Sequence, residues 1–363
     1  MPDETINLCR FAATLCLCAC SGASQASAPV PQQGARADAG ADARAMPSAA
    51  DASTDAASTP VPGPGAGALA FALDEGVDNP LVDGLAVRLG WGRLEPSEGS
   101  YDWTRLDQTL AKVTAAGKSA TLHVFGAVGQ GSTPEWVRAA GAQFYTWNGR
   151  TEPVPWDGVF LDKWSAFLPK LAEHLRSTST ISAIAHVSIT VPVPEMNLIS
   201  CANGMLDSAS VPYDRARYLA AWKRMIDLYQ ATFPDQIKLV SAPQNGICRA
   251  DRDVQFYHEV MAYALGKDPQ RYWLFAADLS ATGSGRIEPY QDIAAQAHVG
   301  FQPVAAFSSD PNHWVHGTML ELYCHGLALG ARYFEVYASD LTNVDAAVQS
   351  GISAIHDPNR CGR

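Results

Sequence analysis

Positive charge is scarce in this sequence. Its 363 residues include 26 Lys and Arg against 37 Asp and Glu, which gives a formal net charge of −11 at pH 7. Nucleic acids and anionic membranes attract proteins through surplus Lys and Arg, so this balance argues against both as partners. The length allows one large domain or two small ones, and no internal repeat recurs at a fixed period.

Motifs of several enzyme classes are also missing. The sequence has no G-x-S-x-G elbow of a serine hydrolase, and no Gly-rich phosphate loop follows the first predicted strand. No His-x-His pair lies on that strand, and the cysteine spacing fits no metal site. We therefore predict an activity that uses neither a metal nor another cofactor.

The first 20 residues contain a short apolar run, FAATLCLCAC at Phe11–Cys20. It is too short to span a bilayer and is typical of a signal peptide core. Residues 17–20 resemble a bacterial lipobox, in which Cys20 would carry the lipid. We predict export, either as a cell-envelope lipoprotein anchored at Cys20 or as a secreted protein.

Residues 21–66 contain Ala, Pro, Ser, Asp and Gly with almost no large apolar side chain. Such a segment cannot bury enough surface to offset its ordering entropy, so we predict a disordered linker. Residues 67–363 form the remaining domain. Its four cysteines can form disulfides in an exported protein, and chain order suggests the pairs Cys201–Cys248 and Cys324–Cys361. Four buried thiols are the alternative.

Strand and helix patterns alternate through the whole domain. A buried strand is indicated by short apolar runs, and an amphipathic helix by spacing such as that of Leu161, Trp164 and Leu168. The alternation predicts a single (β/α)8 TIM barrel, with a doubly wound sheet as the alternative. The predicted strands are Leu69–Leu73, Leu85–Trp91, Ala120–Phe125, Ile184–Val191, Ile237–Ala242, Tyr272–Leu279, Val299–Phe307 and Tyr333–Ala338.

One stretch, LAVRLGWGRLEPSEGSYDW at Leu85–Trp103, carries the most information. Strand alternation places Arg88 on the face opposite Val87, Leu89 and Trp91. A charge inside a buried strand needs a carboxylate partner or a polar cleft, so Arg88 indicates either a site or a structural ion pair. Glu95 lies in a part of the stretch that more plausibly shapes the turn.

This stretch resembles the second β/α unit of clan A glycoside hydrolases, the β-galactosidase-like and cellulase-like (β/α)8 barrels. The segment TPEWV at Thr133–Val137 is similar to the pattern that follows the third strand in that family. The resemblance implies that Arg88 lies beside a nucleophilic carboxylate. It also implies an acid/base Glu after the fourth strand, and Glu195 occupies that position, with a solvated loop carboxylate as the alternative.

Glu335 is the second predicted catalytic residue. Alternation in the last predicted strand places Phe334 and Val336 towards the helices, so Glu335 and its neighbours Tyr333 and Tyr337 face the barrel axis. A carboxylate there needs hydrogen bonds or a cation such as Arg88. The family carries its nucleophile on the seventh strand, whereas our count places Glu335 on the eighth. A structural Glu–Arg pair is the alternative.

The other predicted site residues would bind substrate. His123, His186 and Tyr337 face the axis, Asn245 follows the fifth strand, and Asp278 ends the sixth, where it is either a base or a ligand of a sugar hydroxyl. The loop tryptophans Trp147, Trp156 and Trp314 fit stacking on sugar rings, although each is equally compatible with core packing.

Together these features predict a glycosidase that cleaves O-glycosidic bonds of an oligo- or polysaccharide. It would retain anomeric configuration, with Glu195 as acid/base and Glu335 as nucleophile. A carbohydrate-binding barrel without catalysis and a transglycosylase are the alternatives. The predicted partner is a carbohydrate, and the sequence does not indicate an oligomeric state.

Overall fold

A computed structural model describes residues 68–127, 132–147, 150–193, 205–206, 211–241, 254–284, 287, 291–343 and 345–362. The predicted signal peptide and linker, the pair Cys201 and Cys248, and the site candidates Glu195 and Asn245 lie outside these residues. Among the described residues, no helix has the length and apolar composition needed to cross a membrane.

Eight of the described strands close into a parallel barrel, which confirms the predicted TIM barrel. In chain order they are β1 (Leu69–Leu73), β2 (Gly84–Gly90), β3 (Ser119–Phe125), β6 (Ile184–Ile189), β9 (Ile237–Ser241), β10 (Tyr272–Leu279), β11 (Val299–Pro303) and β12 (Ala331–Tyr337). Two antiparallel hairpins lie outside the barrel: β4 (Phe144–Trp147) with β5 (Arg150–Pro153), and β7 (Met205–Leu206) with β8 (Val211–Pro212).

Helices alternate with the barrel strands. The described helices are α1 (Trp91–Leu94), α2 (Thr104–Ala115), α3 (Glu135–Ala139), α4 (Gly158–Ser177), α5 (Arg215–Thr232), α6 (Val254–Lys267), α7 (Gln291–Ala294), α8 (Met319–Ala328), α9 (Ala338–Leu341) and α10 (Ala346–Ser353). Short 3-10 helices span Thr180–Ala183, Phe307–Ser309 and Pro358–Gly362. Helix α4 buries its predicted apolar stripe and is capped by Asp157, whose carboxylate accepts from the backbone N–H of Phe160 at 2.8 Å.

The strand count is correct, but the predicted bounds of the last two strands were wrong. Strand β11 ends at Pro303 rather than at residue 307, and residues 307–309 form a 3-10 helix. Proline has no N–H to donate, so it weakens any continuation of the ladder. Strand β12 begins at Ala331, which pairs with Val299, two residues before the predicted start. Glu335 therefore lies on the eighth barrel strand, as counted from the sequence.

The hydrophobic core has two compartments. Between barrel and helices, the fully buried Trp91 contacts Trp164 and Phe167 of helix α4 at ring distances of 5.3 and 5.6 Å. Inside the barrel lies a separate apolar cluster: Phe71, Leu73, Ala86, Leu239, Trp273, Phe275 and Tyr333. The interior is thus packed with side chains, and the His186 ring lies among them, 4.8 Å from that of Tyr333.

The predicted disulfide Cys324–Cys361 is present, with Cα atoms 5.4 Å apart. It joins helix α8 to the C-terminal 3-10 helix and closes a loop over 37 residues of sequence. Such a loop restricts the unfolded chain and contributes about 2–4 kcal/mol to stability.

We expect fewer than two free thiols among the four domain cysteines when the unreduced protein is denatured. One disulfide accounts for two of them, and the predicted pair Cys201–Cys248 would account for the others. Titration with a chromogenic thiol reagent, before and after reduction, measures this number. Four reactive thiols before reduction would contradict the prediction.

An ion pair also links the C-terminal segment to the loop before β2. His356 Nε2 lies 2.8 Å from Asp83 Oδ2, which also accepts from the backbone N–H of Ala70 at 2.7 Å. The hydrogen bond to Asp83 raises the pKa of His356 above 6.5. Burial opposes ionisation of Asp83, but His356 and the Ala70 amide lower its pKa below 3.8.

The ion pair should stabilise the folded state at pH values between the pKa of Asp83 and the pKa of His356. The contribution of His356 is complete below pH 6.5 and is lost as pH rises through its raised pKa. That of Asp83 is lost as pH falls through its lowered pKa. Both side chains are more than a third exposed, so we expect His356→Gln to cost less than about 1 kcal/mol at pH 5.5. Urea unfolding at pH 5.5 and 9 tests this, since the cost should vanish at pH 9.

Candidate active site

Polar side chains gather at the inward positions of neighbouring barrel strands. In the parallel register, Arg88 of β2 lies beside His123 of β3, and Thr121 of β3 beside His186 of β6. On the other side of β1, Glu335 of β12 pairs with Phe71. Sites of this fold lie at the carboxyl ends of the strands. Arg88, His123 and Glu335 lie in the carboxyl-terminal half of their strands, whereas Thr121 and His186 are the third residues of theirs. Contacts of His123 with Glu335 and Phe275, and of Tyr333 with Glu335, confirm the predicted inward face of β3 and β12.

Glu335 is 1% exposed and is held through one oxygen. The Tyr333 hydroxyl donates to Oε1 at 2.9 Å. His123 Nε2 lies 2.7 Å from the same atom, at ion-pair distance but without hydrogen-bond alignment. Among the described residues no hydrogen bond reaches Oε2. Burial, and then the charge of Glu335, raise the pKa of Tyr333 well above 10, so this phenol stays a donor.

Arg88 does not form the expected direct pair with Glu335. Its guanidinium binds Asp74, the residue that follows β1, through Nε at 2.8 Å and through a shorter contact from Nη2. Strands β1 and β2 are neighbours, so Asp74 reaches Arg88 before any residue of β12 does. Burial lowers the pKa of Arg88, but Asp74 and, more weakly, Glu335 raise it above its ordinary value. Arg88 and Glu335 thus interact through space rather than by direct contact.

Tyr337 ends β12 beside this charge cluster. Gln302 of β11 donates from Nε2 to the Tyr337 hydroxyl at 2.8 Å, so the seventh barrel strand contributes an amide to this cluster. Burial, with the charges of Glu335 and Asp340, raises the pKa of Tyr337 to about 12, although Arg88 and Gln302 oppose the shift. Tyr337 is therefore a neutral hydroxyl throughout the physiological range.

His186 lies below the site in the barrel interior. Its residue exposure is 0%, and its Nδ1 lies 3.1 Å from Thr121 Oγ1. Its Nε2 has no partner among the described residues. Burial, together with nearby His123, lowers its pKa to about 3, so the ring is neutral. With no exposed surface, His186 supports the floor of the site, and direct contact with a substrate would need a rearrangement.

The predicted tryptophans separate into different environments. Trp156 is 4% exposed, and its ring packs against Tyr213 and Tyr218 at 5.7 and 5.6 Å. This packing places Trp156 in the core and leaves almost no surface for a sugar ring. Trp314 is partly exposed in the loop after β11, and Trp147 lies on β4 with its side chain outside the described part.

Asp278 and Glu95 fill different roles at strand ends. Ser284 donates to Asp278 Oδ1 at 2.6 Å, which orients this carboxylate at the end of β10. Glu95 is 3% exposed and accepts from the Trp91 indole and from the Gly99 backbone, both at 2.8 Å. The prediction that Glu95 shapes the turn is confirmed.

Two carboxylates that lie near strand ends, Asp74 and Asp340, were not selected from the sequence. Asp74 follows directly after the predicted first strand, so the strand-end rule alone would have selected it. Asp340 is fully buried and accepts from the backbone N–H groups of Phe307 and Ser308 at 3.0 and 2.7 Å. It fixes the loop after β11 against the end of β12. The sequence feature that could have identified Asp340 is its position five residues after Glu335.

The chemistry of this cluster is that of an oriented carboxylate near a fixed cation. Within the described ranges no group of three or more His, Cys, Asp or Glu side chains could hold a metal ion. A carboxylate held through Oε1, with Oε2 unengaged, is suited to act as a base or a nucleophile.

Comparison with known proteins agrees with this geometry. Residues 85–152, which run from β2 through the β4–β5 hairpin, match the sequence model of a β-galactosidase family, glycosyl hydrolase 42. No curated protein sequence matches the chain. The match supports a glycosidase of the clan A type, as the sequence predicted.

Solved structures share the fold at low sequence identity. The catalytic domain of a β-amylase from Paenibacillus polymyxa is 11% identical, with a TM-score of 0.53, over 80% of this chain and 98% of that one. A xylanase, Xyn10A, from Cellvibrio japonicus is 10% identical, with a TM-score of 0.48, over 82% of this chain and 98% of the other. The first of these likenesses establishes the barrel fold and nothing further.

Proposed function

We propose that this protein hydrolyses O-glycosidic bonds of an oligo- or polysaccharide with retention of configuration. The observation that carries the proposal is the inward Glu335, held through Oε1 by Tyr333 and His123. A retaining glycosidase needs one carboxylate whose free oxygen faces the anomeric carbon. Oε2 of Glu335 is the oxygen that this arrangement leaves for the sugar.

The two roles are divided between two strand ends. Glu335 is the nucleophile, and Arg88 is the permanent cation whose charge interacts with it. Glu195 follows the fourth barrel strand, β6, and is the acid/base that protonates the leaving oxygen. The match of residues 85–152 to a β-galactosidase family supports this assignment through the unit that contains Arg88.

A screen of the purified domain tests the function and identifies the substrate. Nitrophenyl glycosides, with galactosides first because of the matched family, and a panel of polysaccharides should reveal turnover. Proton NMR of the first product then gives its anomeric configuration. Inversion would reject the retaining mechanism, and absence of turnover on every substrate would reject the hydrolase.

A carbohydrate-binding barrel without catalysis is the second candidate. Two observations favour it: β11 carries no carboxylate, and Glu335 is only 1% exposed. Calorimetric titration with the same oligosaccharides separates the candidates. Heat of binding without any product would support the binding protein, whereas binding followed by cleavage would support the enzyme.

We also propose that the domain is tethered at the cell envelope through Cys20. Cys20→Ser should move the protein from the membrane fraction to the soluble fraction, while the thermal unfolding of the domain stays the same. Unchanged fractionation of the variant would reject lipidation and favour a secreted protein.

A further inference from the structure

Asp74 occupies an unusual position at the end of the first barrel strand. Its φ is +64°, in the left-handed region that most side chains avoid and that Asp and Asn tolerate best. Its backbone N–H donates to Ala86 O at 2.9 Å, which fixes the turn against β2. Backbone strain of this kind persists only where the surroundings enforce it, and it concentrates at functional sites.

Both carboxylate oxygens of Asp74 bind Arg88. Oδ1 accepts from the Arg88 backbone N–H at 3.2 Å, and Oδ2 accepts from Nε and Nη2 of the guanidinium. The two side chains are 36% and 25% exposed, so the pair is at the rim of the barrel rather than in its sealed interior. These hydrogen bonds orient the Arg88 guanidinium towards β1.

Several charged or titratable groups surround Glu335. His123 of β3 and Tyr333 of β12 touch it. Arg88 of β2 and Tyr337 of β12 interact with it through space. Asp340 acts on Tyr337, and His123 acts on His186. Among these described groups, Arg88 is the one permanent cation, and Asp74 is the carboxylate bound to it.

We infer that Asp74 is a positioning residue that limits how strongly Arg88 acts on Glu335. The inference rests on the proposed function, in which Glu335 is the nucleophile. An unneutralised Arg88 would stabilise the carboxylate and make it less reactive, or would swing across to pair with it directly. Asp74 holds the guanidinium towards β1 and offsets its charge, so Arg88 does not form a direct ion pair with Glu335.

Asp74→Asn tests this inference because it removes one charge and keeps the size and the tolerance for positive φ. The acidic limb of the kcat/KM profile should move to lower pH by about 0.5–1 unit, and kcat should fall about tenfold. The ¹³C chemical shift of the Glu335 carboxyl carbon should titrate at correspondingly lower pH. Asp74→Gly, which suits the same backbone, is the second charge-free variant if the first folds poorly.

Asp83→Asn is the matched control. Like Asp74, Asp83 pairs with a cation and accepts from a backbone N–H, but it lies before β2, at the end of the barrel opposite to the candidate site. It should lower the melting temperature and leave the pH profile and the Glu335 titration unchanged. A wild-type Glu335 titration in both Asp74 variants would overturn the inference. The NMR measurement needs no turnover. If the wild-type protein is inactive, the proposed function is rejected, but the titration of the Glu335 carboxyl group still decides the role of Asp74.

Discussion

Glu335→Ala should lose turnover of an activated aryl glycoside by about 10⁴-fold or more, because no group remains to form the glycosyl-enzyme. Glu195→Ala should still form that intermediate, since a good leaving group needs little protonation, and should then stall. Added azide should release a glycosyl azide of retained configuration from Glu195→Ala. With Glu335→Ala, azide should at best give a product of inverted configuration. Burst kinetics and NMR of the azide products measure these outcomes.

Glu173→Ala is the control for this pair, because Glu173 is an exposed carboxylate of helix α4 that contacts only Lys170 among its described partners. Its rate should equal that of the wild type. If both Glu195 and Glu335 variants also keep the wild-type rate, neither residue is catalytic, and the binding protein is favoured. Rescue of Glu335→Ala with retention would show that the two roles are reversed.

His123→Leu should have the largest effect on stability. It removes the ring that contacts Glu335 and leaves a carboxylate that is 1% exposed with Tyr333 as its only described partner. Breaking a buried pair by deleting one member costs about 3–5 kcal/mol, because the remaining charge is uncompensated. Urea unfolding at pH 7 measures the loss in free energy of unfolding. At acidic pH the loss should shrink, since a protonated carboxyl tolerates burial.

A double-mutant cycle separates the pair from simple loss of packing. Introduced into Glu335→Gln, His123→Leu should cost much less, because the neutral amide has no charge to compensate. An equal cost in both backgrounds would mean that the His123 ring stabilises the barrel through packing alone, for example against Phe275, whose ring centroid lies 6.0 Å away.

The barrel and the inward position of Glu335 followed from local patterns. A strand presents alternate residues to opposite faces, so the apolar flanks Phe334 and Val336 determine where Glu335 points. The turn role of Glu95 followed in the same way from a short stretch of sequence. Such properties depend on neighbours within a few residues, and these are visible without any tertiary structure.

Contacts between strands were harder to predict. Arg88 was expected to meet Glu335, but β1 lies between β2 and β12, and Asp74 at the end of β1 binds the guanidinium first. Trp156 was assigned to a sugar-binding loop, yet Tyr213 and Tyr218, about 60 residues further along, enclose it. The sequence around Arg88 does not indicate that Asp74 binds it, and the sequence around Trp156 does not indicate that two tyrosines enclose it.

The sequence by itself determined the eight-stranded barrel, the strand that carries Glu335 and the disulfide partner of Cys324. These depend on hydrophobic period, strand parity and chain order. Only the tertiary structure decided that His123 rather than Arg88 touches Glu335, and that His186 is sealed below the site. The physical reason is register: inward side chains meet across the barrel when they lie at the same level along its axis. The level of each side chain depends on how far its strand is shifted along the barrel, and that shift is fixed by packing of the whole closed sheet.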